Sequence, residues 1–195
     1  QISGGSGVFV GYTDATIDGE HTKIEYTNTT GNSIYFGHDG SGTVGSLAIN
    51  AGEIVGPIGV QDPGSATNEA DILVNGGFFT EPVDDSYLSS EFKYMVHKDL
   101  YYSYYETLAE ALQAAAPDGT VEAIAIPGRV IHTVTVVYGN GTADTVNTYV
   151  DGETINLPAA PTASYAFLGW SDGDKTYNPG YEYTVTKGTT ITALW

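Results

Sequence analysis

Apolar positions in the first half of the chain come in short bursts. Residues 8–12, 23–26, 33–36, 46–50, 54–56, 71–75 and 78–79 are rich in apolar or β-branched side chains and are separated by Gly, Asn and Asp. That pattern predicts short strands joined by turns rather than helices. Two of the bursts resemble each other. Leu47-Ala48-Ile49-Asn50-Ala51-Gly52-Glu53-Ile54 and Ile72-Leu73-Val74-Asn75-Gly76-Gly77-Phe78-Phe79 both run apolar, any residue, apolar, Asn, small, Gly, then back to apolar, 25 positions apart. A period of this length fits a solenoid in which each coil stacks on the last. Asn50 and Asn75 would then align in a ladder at the turn, with Gly76 and Gly77 supplying the permissive backbone of the bend. Two similar hairpins of a β-sandwich fit the same pair of copies.

The period changes at residues 105–116, where Leu108, Leu112 and Ala115 recur at spacings of four and three and predict one helix with a single apolar face. Thr107 and Glu110 form a capping box at its start. Pro117-Asp118-Gly119 ends it, and residues 120–126 read as a strand. From residue 131 onward strands dominate again, punctuated by the turns Gly139-Asn140-Gly141 and Asp151-Gly152. Ile126-Pro127-Gly128-Arg129 interrupts regular structure. It divides the chain into strand coils at 1–100, a helix–strand unit at 101–128 and a second strand-rich domain at 129–195.

Composition narrows the partners. The 195 residues include 24 acidic and 6 basic side chains, a net charge of −18, and no cysteine. Residues 1–128 hold 18 acids and 3 bases, and residues 129–195 hold 6 and 3, so the acidity is concentrated in the first part. Six scattered bases are too few to track a phosphate backbone, so no nucleic-acid partner is expected. An anionic membrane surface is disfavoured for the same reason, and no apolar stretch is long enough to insert in a bilayer. Without cysteine there is no disulfide, no thiolate zinc site and no thiol nucleophile. The chain begins at Gln1, which reads as a processed or excised piece of a longer product.

Candidate chemistry is sparse. His21, His38, His97 and His132 show no metal-ligand spacing. Asp84 and Asp85, with Glu81 nearby, form the densest acidic patch, and Asp172 and Asp174 flank a glycine. These four aspartates are the candidates for calcium, although no complete calcium loop surrounds either pair, and no cofactor is expected. Tyr101, Tyr102, Tyr104 and Tyr105 form an aromatic run. Alternate residues of a strand face opposite sides. The run therefore serves either as packing between coils and helix or as a platform for a sugar or protein partner.

Residues 131–195 closely resemble the Listeria–Bacteroides repeat, also called the internalin-type B repeat. The resemblance rests on Val134 through Asn140-Gly141, on Gly152-Glu153-Thr154-Ile155-Asn156-Leu157-Pro158-Ala159-Ala160-Pro161, on Tyr165-Ala166-Phe167-Leu168-Gly169-Trp170, and on Thr189 to Trp195. Ala166 departs from the common form, which has Gly-Tyr before the x-Phe. The resemblance implies a small β-grasp-like module, a sheet with a short covering helix or turn. Phe167, Gly169, Trp170 and Trp195 would be structural in it, and the family offers no catalytic residues.

Residues 72–93 are similar to the last rung of right-handed parallel β-helices in large surface proteins of gut bacteria, through Gly76-Gly77-Phe78 and Asp85-Ser86-Tyr87. The helix and its flanks resemble the cap beside such rungs. Together these give a mainly β chain: the end of a short right-handed parallel β-helix (solenoid), a helical cap, and a small β-grasp-like B-repeat domain.

The implied function is a non-catalytic stalk or adhesion module of an extracellular, cell-surface or secreted bacterial protein, contacting host protein or glycan. The competing class is the C-terminal part of a β-helical carbohydrate-active enzyme, a polysaccharide lyase or glycoside hydrolase, with its catalytic rungs upstream. A lyase needs bases, and residues 1–128 offer only Lys23, Lys93 and Lys98 on a surface that repels anionic polymers. A hydrolase needs two carboxylates, and no pattern singles out a pair.

Overall fold

A computed structural model describes residues 2–4, 8–10, 14–26, 34–36, 46–60 and 71–195; Tyr12, Ser33 and His38 lie outside the described residues. The protein is mainly β and falls into two compact units, Gln1–Ile124 and Ala125–Trp195.

The first unit opens with β1 (Ile2–Gly4), β2 (Val8–Val10) and β3 (Ala15–Ile17). The chain then repeats the circuit with β4 (Lys23–Tyr26), β5 (Ile34–Phe36) and β6 (Ser46–Ile49), and again with β7 (Glu53–Val55), β8 (Ile58–Val60) and β9 (Asp71–Val74), before entering β10 (Phe78–Phe79). Every third strand pairs in parallel: β1-β4-β7-β10, β2-β5-β8 and β3-β6-β9. Register is locked by side chains that point inward at every second position. Ile24, Ile54 and Phe79 are Cα partners in one ladder, and Ile49 and Val74 in another; all five are fully buried. Each such side chain contributes about 1.5–3 kcal/mol by burial. Between the inward positions of the first ladder, Lys23, Glu53 and Phe78 line up on the outer face.

The parallel ladders then stop. β11 (Tyr94–Lys98), β12 (Tyr101–Tyr105) and β13 (Thr120–Ala123) extend the first ladder into a seven-stranded sheet, but they pair antiparallel. Phe79 faces Tyr102 across the junction. On the neighbouring ladder Leu88 bridges Val74. The edge of β10 is thereby covered by a hairpin of opposite sense, which removes an open parallel edge.

The helix α1 (Leu108–Ala115) packs on β11, β12 and β13. Its start has the predicted capping box, with the Thr107 hydroxyl accepting from the Glu110 N–H and the Glu110 carboxylate accepting from the Thr107 N–H. The helix is shorter than residues 105–116, because Tyr105 belongs to β12. Its buried face is Leu108, Ala111 and Ala115, and Leu112 is more than half exposed. The expected stripe through Leu112 is thus corrected: small Ala111 lets the helix sit close to the sheet, which turns Leu112 outward. The strand after the helix ends at Ala123 rather than residue 126.

The second unit contains β14 (Ile131–Val137), β15 (Thr145–Val150), β16 (Thr154–Asn156), β17 (Gly169–Ser171), β18 (Thr176–Tyr177), β19 (Glu182–Thr184) and β20 (Thr189–Leu194). Five strands form a mixed sheet ordered β15-β14-β20-β17-β18, and β16 and β19 form a separate ribbon. No helix occurs in it. The ribbon instead lays Tyr183 and Ile155 against a core of Val134, Val136, Leu157, Trp170, Val185, Ile191 and Ala193. Trp170 is fully buried and its indole N–H donates to the Pro158 carbonyl at 2.8 Å. Phe167 sits edge-on between Trp170 and Trp195, and the Trp195 N–H donates to the Tyr138 carbonyl at 3.0 Å. Gly169 is buried and pairs with Leu194.

Candidate functional site

The predicted asparagine ladder exists and is longer than the sequence copies indicate. The Asn75 amide donates to Asn50 Oδ1 at 2.9 Å, and the Asn50 amide donates to Asp18 Oδ1 at 2.5 Å. Backbone bonds repeat the same stacking: Asn75 N–H to the Ile49 carbonyl, Asn50 N–H to that of Ile17, Phe78 N–H to that of Gly52 and Glu53 N–H to that of Thr22. Gly76 follows Asn75 so closely under the previous turn that a Cβ there would collide with the Asn50 carbonyl oxygen, and Gly77 has φ +112°. Replacing Asn50 by Leu removes both side-chain bonds. The freed groups are exposed and can return to water, so a loss of about 1–2 kcal/mol is expected, read as a lower urea midpoint with an unchanged slope.

Beside the ladder, on the outer face of the seven-stranded sheet, four residues meet. Glu53 Oε1 accepts from the Tyr101 hydroxyl at 2.7 Å and from Lys23 Nζ at 3.2 Å. The Tyr101 hydroxyl, and then Lys23, hold the Glu53 carboxyl below its usual range; Glu53 in turn raises both Tyr101 and Lys23. Phe78 is the strand neighbour of Glu53, is half exposed, and stands edge-on to Tyr101 with ring centroids 6.5 Å apart at 79°.

The aromatic run is therefore split by environment. Tyr104 is buried against Phe79 and Phe92, and its oxygen accepts from the Val83 N–H at 2.7 Å. Tyr102 stacks on His97 at 4.4 Å. Tyr105 accepts from the Ser103 hydroxyl at 3.2 Å. Only Tyr101 joins a charged cluster that faces outward. Burial pushes the Tyr104 phenol up to about 12. A raised pKa means the folded state holds this proton more tightly, so its stabilisation is complete below the unfolded phenol value near 10 and is lost as pH rises towards 12. Tyr104→Phe should remove that part of the alkaline loss while costing about 1–3 kcal/mol at neutral pH, because the buried Val83 N–H loses its acceptor. Denaturation midpoints at pH 7 and pH 11 measure both effects. Tyr177, raised to about 12 by its bond to Asp172, contributes a separate alkaline loss in the second unit.

Three of the four candidate calcium aspartates, Asp84, Asp172 and Asp174, have structural partners, and Asp85 lies in the turn that Asp84 caps. Asp84 Oδ1 accepts from the Ser86 hydroxyl and N–H, capping a short turn at Asp85–Tyr87, and these bonds hold the Asp84 carboxyl low. Asp172 accepts from the Tyr177 hydroxyl and from the Asp174 and Lys175 N–H groups, and Asp174 lies 3.9 Å from Lys187. Among the described residues no three His, Asp or Glu side chains converge on a metal position. His132 pairs with Asp151 at 2.7 Å, and His97 belongs to the ring stack.

Two features were hidden in the sequence. Asp18 is the third member of the ladder among the described residues, but it lies 32 residues before Asn50 instead of 25, which conceals the repeat. The signal was the run Ala15-Thr16-Ile17-Asp18, which has the same apolar spacing as Leu47-Ala48-Ile49-Asn50. The Lys23–Glu53–Tyr101 cluster joins residues up to 78 positions apart and has no local signature.

The second unit is a small, mainly β module built on a buried tryptophan. Its residues 132–195 match the family model described as the divergent InlB B-repeat domain, a domain found in bacterial surface proteins. No curated protein and no solved structure was found to match the chain. No helix among the described residues is long and apolar enough to cross a membrane.

Proposed function

We propose that the chain is a non-enzymatic projecting and adhesive module of an extracellular bacterial surface or secreted protein. The observation that carries this reading is the match of residues 132–195 to a domain found in surface proteins. The first unit supports it. Its three parallel ladders, with every third strand paired and a turn ladder at Asp18, Asn50 and Asn75, fit the end of a parallel β-helix. Stacked coils add length without a larger core, which suits a spacer. In the second unit the sheet and its covering ribbon fit a β-grasp-like module. Four carboxylates of the described surface hold strands, turns and the ladder: Asp14 binds Ser46, Asp18 binds Asn50, Asp84 binds Ser86 and Asp172 binds Tyr177. Such partners suit structural roles better than acid–base work. The partners we propose are host protein or glycan, not nucleic acid.

The test is protease shaving of intact producing cells followed by peptide identification. Peptides of this chain should be released before lysis. Protection of the chain until the cells are broken would overturn the extracellular reading.

A further inference from the structure

The outer face around Phe78, Tyr101, Glu53 and Lys23 has a chemistry that the folding of the first unit does not require. We propose that it is a binding subsite for an uncharged pyranose of a glycan. The proposal rests on the adhesive reading above and names its ligand class.

Four observations carry it. Phe78 presents a half-exposed ring, while its neighbour Phe79 supplies the buried contact of the same strand. The Tyr101 ring stands at 79° to it, making a corner with an apolar floor and wall. Aromatic faces of this kind bury the C–H side of a sugar ring. Glu53 lies one strand away from Phe78 in register, at the usual strand spacing of about 4.8 Å. Both of its described side-chain bonds fall on Oε1, which fixes the carboxylate and leaves Oε2 to accept a hydroxyl. Lys23, in register with Glu53, adds donors; the Lys23 and Glu53 side chains are 35% and 30% exposed, so a ligand can reach them.

Charge selects among glycans and against other partners. Residues 1–128 carry a net charge of −15, and Glu25 follows on the same face of β4 as Lys23. Uronate and sulfated polymers are repelled. A lysine-rich peptide would meet Lys23 at the centre of the site. A neutral polyol has hydroxyls for the carboxylate and the ammonium and no charge to oppose.

The test uses the purified chain, independent of where the protein resides. Neutral gluco-, manno- and galacto-oligosaccharides, polygalacturonate oligomers and a Lys-rich peptide are titrated while the Phe78 and Tyr101 ring resonances are followed by NMR. At least one neutral oligosaccharide should shift both rings. Phe78→Ala should weaken that binding tenfold or more and Glu53→Gln about fivefold, with circular dichroism unchanged. Binding retained within twofold in Phe78→Ala overturns the proposal. So does tighter binding of the anionic oligomer or the peptide, or no response to any neutral sugar. These failures leave the surface-module reading intact, because shaving tests it separately.

Discussion

Trp170→Ala is expected to destabilise the second unit strongly. The side chain is fully buried, is met edge-on by Tyr138 and Phe167, and anchors the Pro158 carbonyl. Truncating a buried Trp costs about 3–5 kcal/mol. A unit of about 70 residues has some 4–11 kcal/mol in total. At about 4–8 °C per kcal/mol for a domain of this size, the melting temperature should fall by at least about 12 °C. Trp195 remains as the fluorescence reporter of the transition. Tyr165→Ala, at a position 77% exposed, is the control and should stay within about 0.5 kcal/mol. If the two variants melt alike, the sheet and ribbon are not held together through Trp170.

The second large effect is expected from one methyl group in the turn ladder. Gly76→Ala places a Cβ against the Asn50 carbonyl oxygen, a backbone atom that cannot swing aside as a side-chain tip would. Overpacking of this kind costs about 1–3 kcal/mol, and the upper end is expected because Asn50 is held from both sides. The comparison lies in the chain itself. Ala51 occupies the corresponding place one coil earlier and carries a methyl, since the turn before it, from Asp18 to Thr22, is longer and of another shape. Ala51→Gly should therefore change stability by no more than about 1 kcal/mol. Urea midpoints compare the pair, and hydrogen exchange at the Asn75 and Phe78 amides locates the damage. Equal effects at the two positions would mean that stacking does not set the requirement for glycine.

The legible parts of this chain were those with a local period. The two Asn–small–Gly turns, the capping box at Thr107 and Glu110, and the spaced Pro, Phe and Trp positions of the second unit all lie within short windows of sequence. What escaped depends on contacts between distant coils. Lys23, Glu53 and Tyr101 each look like ordinary surface residues until three strands bring them into line. Leu112 obeys the helical period and is nonetheless exposed, because Ala111 sets how the helix lies on its sheet. Tyr101, Tyr102, Tyr104 and Tyr105 are alike in sequence, and only tertiary packing assigns them to an ion-linked corner, a ring stack, a core and a hydroxyl bond.

The turn ladder also has a direction. Each amide passes its proton-bearing side the same way, from Asn75 to Asn50 to Asp18. An amide can give and receive, so it relays the arrow; an ionised carboxylate only receives, so the arrow ends there. Asp18 is a sink in a one-way line. Another coil stacked on that side of Asp18 would have to point its own donor back at the carboxylate, reversing the arrow. An Asn there would therefore run opposite to Asn50 and Asn75, and a second carboxylate at that height would meet like charge.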